Sequence, residues 1–129
     1  MGVHANGDAG IDMVLKAYEN AQNKCPKKNM RHRIEHSSFC HEEQFMQMKK
    51  LQVSPSFLIG HVYYYGNVFR DQLVGEERTK LLHRTRTALN KGLKVSIHSD
   101  YNCQPLDPLR CIYNAVTRII RNTGEVLNQ

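Results

Sequence analysis

The sequence lacks any apolar run long enough to span a membrane, and it shows no secretory signal. It also lacks low-complexity segments and short repeats. Hydrophobic residues make up 40% of the 129 positions, which is ordinary for a globular chain and argues against disorder. We therefore expect one globular domain with a modest core, located in the cytoplasm and without a membrane partner.

The four cysteines also lack the spacing of a structural metal site. None of them forms a C-x-x-C pair, which disfavours a zinc finger. We expect free thiols in a reducing compartment. Cys103 lies close to Asp100 in the sequence, and we expect it to be a small buried side chain rather than a site residue.

Basic tracts are missing as well, although the formal net charge is +6. The lysines and arginines are scattered and are not interleaved with aromatic residues. This pattern favours a basic solvated surface over a nucleic-acid interface. We expect no nucleic-acid partner, and a basic α/β nucleic-acid-binding module is the least favoured of the functions that we consider.

What the sequence does contain is an alternation of strand-like and helix-like segments. The strand-like segments are residues 2–5, 31–35, 51–56 and 94–97. A stripe of Ile11, Val14, Leu15 and Tyr18 predicts the first helix, which begins near Asp8 and ends before Pro26. Residues 41–50 and 76–90 predict two further helices, and residues 60–66 predict a loop.

The last helix has the strongest start signal in the chain. Asp107 is a typical N-cap, and Pro108 follows it at the first helical position. The apolar residues that this helix carries are Leu109, Ile112, Val116 and Ile119.

Four strands alternating with helices predict a parallel sheet with right-handed crossovers. The fold class is therefore α/β, with four βα units. A complete (β/α)8 TIM-type barrel has eight such units in roughly 250 residues. The sequence thus predicts half of such a barrel, or a small open sheet.

Three candidate site residues stand at strand ends, where the catalytic side chains of a parallel barrel collect. They are His4, His36 and Asp100. Imidazole and carboxylate are ligands that a catalytic zinc prefers. An aspartate at this place can also take the proton from a metal-activated water, as ligand and general base.

Other polar residues near these strand ends allow a structural and a functional interpretation. His98 is expected to pack beside the site or to support a ligand. His61 stands among three tyrosines, where it either contacts substrate or lies exposed on a mobile rim. Asp8 is a helix cap that is close enough in sequence to orient His4.

In the second strand, the alternation of side chains has a consequence for Glu35. If Ile34 shares the inner face with His36, then Arg33 and Glu35 face the helices. Glu35 is then expected to be an ion-pair partner rather than a catalytic acid.

The motifs resemble those of a known family when they are taken in order. They are His-Ala-Asn-Gly-Asp at 4–8, Arg-His-Arg-Ile-Glu-His at 31–36, His-Ser-Asp at 98–100, Pro-Leu-Asp-Pro-Leu at 105–109 and Ala-Val-Thr-Arg at 115–118. The sequence resembles the C-terminal half of the catalytic barrel of metal-dependent amidohydrolases. It is most similar to the branch of N-acyl-amino-acid deacylases and imidazolonepropionase-like hydrolases.

This resemblance implies that residues 1–129 are a partial domain equivalent to strands five to eight of the barrel. It implies that His4 and His36 bind metal and that Asp100 is the metal-binding general base. The complete enzyme would use one or two zinc ions on a small-molecule amide. The family's first-strand His-x-His pair, its fourth-strand ligand and its flanking β-domain have no match in the sequence.

One alternative is a half-barrel without catalysis. Its open sheet edges, at the strand of His4 and at residues 94–97, would drive self-association. The inner face, including Ile34, would also be bared to water. We therefore expect a homo-oligomer.

Overall fold

The computed structural model describes residues 1–127, in which four short strands alternate with helices. The strands are β1 (Gly2–Ala5), β2 (Arg33–His36), β3 (Ser54–Phe57) and β4 (Ser96–Ile97). The helices are α1 (Asp8–Lys24), α2 (Glu42–Leu51), α3 (Gly60–Val68), α4 (Gly75–Thr79), α5 (Thr85–Asn90) and α6 (Pro108–Thr117). A π-helical turn, Phe69–Leu73, continues α3.

All strand pairings in the sheet are parallel, and the spatial order β1-β2-β3-β4 is the order of the chain. His36, the last residue of β2, is paired with Ala5 on one side and with Phe57 on the other. The carboxyl ends of the strands therefore lie at one edge. This confirms the predicted α/β class and its parallel sheet.

The first two helices bury their predicted apolar positions, although Gly7, and not the predicted Asp8, is the N-cap residue of α1. The Ile11, Leu15 and Tyr18 stripe of α1 is buried, and the Tyr18 hydroxyl donates a 2.8 Å hydrogen bond to the carbonyl of Arg33. At the start of α2, the backbone N–H of His41 donates to Gln44 Oε1 at 2.9 Å. Phe45, on the same helix, is fully buried.

The main core lies between the sheet and the helices α1, α2 and α5. Ile34 and Phe57 belong to it, together with Ile11, Leu15 and Phe45. The prediction that Ile34 lies on the inner face was therefore wrong, as was the prediction of an inner face bared as apolar surface. The strands turn their largest apolar side chains toward the helices, because that is where apolar surface is available to bury them.

Residues 60–66 are helical, and the predicted loop was wrong. Their two glycines permit close packing: a Cβ on Gly60 would collide with the Gln104 carboxamide, and one on Gly66 would lie 2.9 Å from an Ile120 side-chain carbon. Val62, between them, is fully buried in the second core cluster. Tertiary packing thus overrides the loop signal of the glycines.

The predicted helix at 76–90 is divided into α4 and α5. The break contains His83, which has a φ of +48° and donates its backbone N–H to the carbonyl of Ser38 at 2.8 Å. A continuous helix would not make this bond. The predicted stop at Gly92, with a φ of +77°, is confirmed.

Helix α6 begins as predicted, because Asp107 Oδ1 accepts a 3.0 Å hydrogen bond from the N–H of Arg110. Its apolar residues do not form its buried face. Leu109, Ile112 and Val116 are 77%, 53% and 78% exposed, and Cys111 and Asn114 are the buried residues. The reason is that α6 packs against α3 through its other face. We call Leu109, Ile112 and Val116 the α6 stripe.

Within residues 1–127, no helix combines the length and the apolar character needed to cross a bilayer.

Candidate metal centre

Two of the predicted site residues are in direct contact, and the third lies at the same edge of the sheet. The rings of His4 and His36 meet edge-on, with their centroids 4.3 Å apart. The charge of Asp100 acts on the rings of both His36 and His98. The structure thus brings the three strand-end side chains to one end of the sheet, as expected for a barrel active site.

The backbone of His36 explains how its ring reaches this place. Alternation along β2 would put His36 on the same face as Ile34, which packs against the helices. His36 instead has a φ of +75°, and Ser37 follows with a φ of +47°. The strand therefore ends in a left-handed turn, and the ring lies against His4 and His98. Such strain is often found at functional sites.

A third imidazole joins the first two. His98 Nε2 lies 3.3 Å from His36 Nδ1, and His98 Nδ1 lies 2.9 Å from Ser56 Oγ. The expectation that His98 supports a neighbouring ligand agrees with these contacts.

His4 is held by a residue that the sequence reading missed. Asn6 Nδ2 lies 3.2 Å from His4 Nε2, and Ser38 Oγ donates to Asn6 Oδ1 at 2.6 Å. Asp8, the predicted orienting residue, turns elsewhere: its Oδ2 lies 3.0 Å from Arg78 Nη2 and 3.3 Å from His41 Nε2. The interpretation of Asp8 as a partner of His4 was therefore wrong, since the distant Arg78 competes for its carboxylate.

Burial disfavours the charged form of the His36 imidazole. It is the main cause that lowers the pKa of His36, with the neighbouring His4 second, and the charge of Asp100 opposes it only partly. Burial also lowers the pKa of His98. Neutral imidazole is the form that binds a metal ion.

His61 is partly buried at the start of α3. The interpretation that it lies exposed on a mobile rim was therefore wrong. Its Nδ1 lies 3.2 Å from Nε2 of His83, which is fully buried in the break between α4 and α5. Burial lowers the pKa of His61 to about 4 and lowers that of His83 well below 6.5. No sequence signal marked His83, because it interrupts a helix-like pattern.

Asp100 lies in a tight turn with a φ of +49°. Cys103, which was predicted to be buried, is exposed, and its Sγ lies 3.5 Å from Asp100 Oδ2. The N–H of Cys103 donates to the carbonyl of Asp100 at 2.6 Å and closes this turn. Both side chains of the turn are exposed to solvent.

Glu35 lies on the inner face and not toward the helices, which corrects its predicted orientation. It is paired in register with His4 and with Ser56. The predicted ion pair is present, since Glu35 Oε1 lies 2.7 Å from Arg33 Nη2. The carboxylate also lies over Gly2, where a larger residue would collide with it.

The chemistry of the donors fits a divalent metal such as zinc, with two imidazoles and one carboxylate. Their arrangement is not a complete ligand set. In the part of the chain that the structure describes, no three His, Cys, Asp or Glu side chains converge on one point. These residues therefore fit part of a metal centre.

A parallel βα sheet with histidine and aspartate at its carboxyl end has the arrangement of part of a TIM-type barrel. The family model described as "Amidohydrolase family" matches residues 1–129. The chain therefore belongs to the amidohydrolase family, as a fragment of the metal-dependent amidohydrolase barrel.

Relatives and a solved structure agree with this assignment. The chain is 29% identical over 119 residues to N-substituted formamide deformylase of Arthrobacter pascens, covering 92% of this chain and 22% of the relative. It is 31% identical over 121 residues to the putative amidohydrolase YtcJ of Bacillus subtilis strain 168, covering 90% and 21%. A crystal structure of an uncharacterized metal-dependent hydrolase from Pyrococcus furiosus superposes with a TM-score of 0.76 at 32% identity, covering 95% of this chain and 24% of that one.

The chain thus spans about a fifth of the length of the curated relatives that it matches. The four βα units are those of a TIM-type barrel fragment.

Proposed function

We propose that this chain supplies part of the active site of a metal-dependent amidohydrolase, which hydrolyses an amide or a related C–N bond. One observation carries the proposal. His4 and His36 are in contact at the carboxyl end of the sheet and Asp100 lies at the same end, in a chain that matches the family along its whole length. That end of the sheet is where barrel enzymes place their catalytic groups.

His4, His36 and Asp100 would hold zinc, which when bound makes a water acidic enough to attack near neutral pH. The residues of this chain then have separate roles. The two imidazoles bind as neutral ligands. The Asp100 carboxylate accepts the proton of the attacking water and can return it to the leaving nitrogen. We propose that His61, on α3, contacts the substrate.

The substrate would be a small-molecule amide. The name of the Arthrobacter relative, N-substituted formamide deformylase, supports this class of compound. The nearest branch by motif, the N-acyl-amino-acid deacylases, adds N-acyl amino acids as the substrates to assay first.

Zinc titration of the purified chain tests the metal part of the proposal. We expect measurable but substoichiometric zinc, because two imidazoles and one carboxylate can suffice for a catalytic zinc but do not converge on one point in this chain. The double variant His4→Ala/His36→Ala should abolish it. His41→Gln, which alters an imidazole outside the site, should not. Zinc binding that survives the double variant would contradict the proposal.

Hydrolysis of N-acyl amino acids by residues 1–129 alone should be weak or absent, because the ligand set is incomplete. Stoichiometric zinc that resists chelators, with clear turnover, would show that these residues suffice. In that case an Asp100→Asn variant should lose turnover while it keeps the fold.

A second candidate function, self-association, is favoured by the α6 stripe. These three apolar side chains lie exposed on the helix that follows β4. Within residues 1–127, β1 and β4 are the two edges of the sheet, and their unpaired backbone groups favour pairing with another chain. We propose that a homodimer or a larger oligomer forms through these surfaces.

A further inference from the structure

His98 is held at both of its ring nitrogens. Its Nδ1 lies 2.9 Å from Ser56 Oγ, and its Nε2 lies 3.3 Å from His36 Nδ1. Its backbone is also fixed, because the N–H of His98 donates to the carbonyl of Phe57 at 2.9 Å. Ser56 itself is buried within β3. His98 is therefore a rigid bridge between the middle of the sheet and His36.

This contact determines which nitrogen of His36 faces the candidate metal centre. An imidazole ligand binds metal through one nitrogen and donates the N–H of the other to an acceptor. The Nδ1 of His36 faces His98. The nitrogen left for metal is therefore Nε2, on the opposite side of the ring.

We propose that His98 is a positioning residue that holds His36 in the tautomer protonated at Nδ1, so that the lone pair of Nε2 is free for metal; the proposal rests on the proposed function. Both ring hydrogen bonds of His98 are then donated in the same direction. His36 Nδ1–H donates to His98 Nε2, and His98 Nδ1–H donates to Ser56 Oγ. The reverse direction would put the proton of His36 on Nε2 and block the ligand.

The same distance has a competing explanation. Two nitrogens bound to one tetrahedral zinc, at about 2.05 Å each, lie about 3.3 Å apart. His98 could then be a ligand itself. The contact between Ser56 and His98 fits both readings, so the experiment must separate them.

The primary experiment uses the metal-free chain with ¹⁵N-labelled histidine. Long-range ¹H–¹⁵N correlation spectra at pH 7.5 report which nitrogen of each ring is protonated. We expect His36 to be protonated at Nδ1. In His98→Leu, which has no acceptor, His36 should shift toward the Nε2–H tautomer that free histidine prefers. In His98→Gln, whose Oε1 can accept, the Nδ1–H tautomer should be retained.

Ser56→Ala removes the support of His98 and should weaken the preference of His36. Ser54→Ala is the matched control, because Ser54 lies two residues earlier on the same face of β3 and should leave the tautomer unchanged. Zinc affinity gives a second readout. His98→Leu should lose about 10-fold to 100-fold, and Ser54→Ala should lose none.

Three results would overturn the proposal: His36 protonated at Nε2 in the wild-type chain, a His36 tautomer that is unchanged in both His98→Leu and Ser56→Ala, or zinc that shifts Nε2 of His98 instead of Nε2 of His36. A chain with the expected tautomers that binds no zinc would support the positioning role and contradict the proposed metal function.

Discussion

The Arg118 guanidinium donates a 3.1 Å hydrogen bond from Nη1 to the backbone carbonyl of His83. Two further hydrogen bonds, both 2.8 Å long, run from the same side chain to the carbonyls of Leu82 and Leu127. Arg118 is 5% exposed, and burial lowers its pKa to about 10. One cation thus ties two carbonyls of the break between α4 and α5 to the carbonyl of Leu127 near the end of the described chain.

Replacing Arg118 should destabilise the chain strongly. Arg118→Met keeps much of the volume but removes three hydrogen bonds and leaves the Leu82 and Leu127 carbonyls without this donor, and we expect a loss of about 3 kcal/mol or more in the free energy of unfolding. Urea denaturation measures it. Arg121→Met, at an exposed arginine, is the control and should change stability by under about 0.5 kcal/mol. An Arg118→Met variant as stable as the control would refute this role.

Acid should destabilise the fold through its buried histidines. In the folded chain the pKa of His61 is about 4 and that of His83 lies well below 6.5, the ordinary value that the unfolded chain regains. As the pH falls below 6.5, the unfolded chain takes up protons first. Stability is therefore fully present above pH 6.5. It falls by up to about 1.4 kcal/mol per pH unit for each group, down to about pH 4 for His61.

The variant His61→Gln should show a smaller decrease between pH 6.5 and pH 4, measured as unfolding free energies at each pH. Burial is the main cause of the low His61 pKa, the charges of His36 and His98 lower it further, and Asp100 opposes them. His41→Gln serves as the control on an unrelated imidazole. An unchanged slope in His61→Gln would show that His61 does not titrate in this way.

Gly60→Ala should destabilise the chain because the new Cβ meets the Gln104 carboxamide. We expect a loss of about 1–3 kcal/mol, typical of overpacking. The double variant Gly60→Ala/Gln104→Ala should recover part of it. Gly10→Ala, where the new Cβ is 3.8 Å from Ala5, should instead stabilise α1 by up to about 1 kcal/mol. Thermal denaturation of these four proteins and of the single variant Gln104→Ala measures the losses, and additive losses in the double variant would rule out the contact.

Self-association should depend on the α6 stripe. At micromolar concentration we expect sedimentation to report a dimer or a larger oligomer, since burying apolar surface yields roughly 25 cal/mol per Å². Leu109→Glu/Val116→Glu should give a monomer. Met46→Glu, on the exposed side of α2, is the control and should leave the oligomer intact. A wild-type monomer that binds no hydrophobic dye would contradict this proposal.

The alternation of strands and helices could be read from the sequence because it depends on local patterns. The first strand, residues 2–5, was predicted with the bounds that the structure has. The third shifted from 51–56 to Ser54–Phe57, since Leu51 ends α2 and Phe57 completes the core. Caps such as Asp107 act within one turn, so they too are visible in the sequence.

The face that each helix or strand buries was harder to predict from the sequence, because it depends on which other element packs against it. Periodicity shows that Leu109, Ile112 and Val116 share a side of α6 but does not show what that side faces. In β2 the inner face was inferred from the histidines. The apolar Ile34 and its register partners Val3 and Pro55 instead mark the face that packs against the helices.

The candidate site could be predicted only in part, because some of its residues have a local sequence signal and others do not. Strand ends located His4, His36 and Asp100, but the left-handed turn at His36 and the long-range contacts of Asn6 and His83 have no local signature. Such contacts join residues that are distant in the sequence, and only the folded chain defines them.

The agreement between strand order and chain order has a consequence for biosynthesis. Each strand from β2 to β4 pairs with the strand made just before it. As the polypeptide leaves the ribosome, a new βα unit can dock on an edge that is already present, without waiting for a distant segment. Assembly can therefore proceed in one direction, from the amino terminus onward, and at each stage the growing sheet offers the nascent chain a fresh edge beside its latest strand.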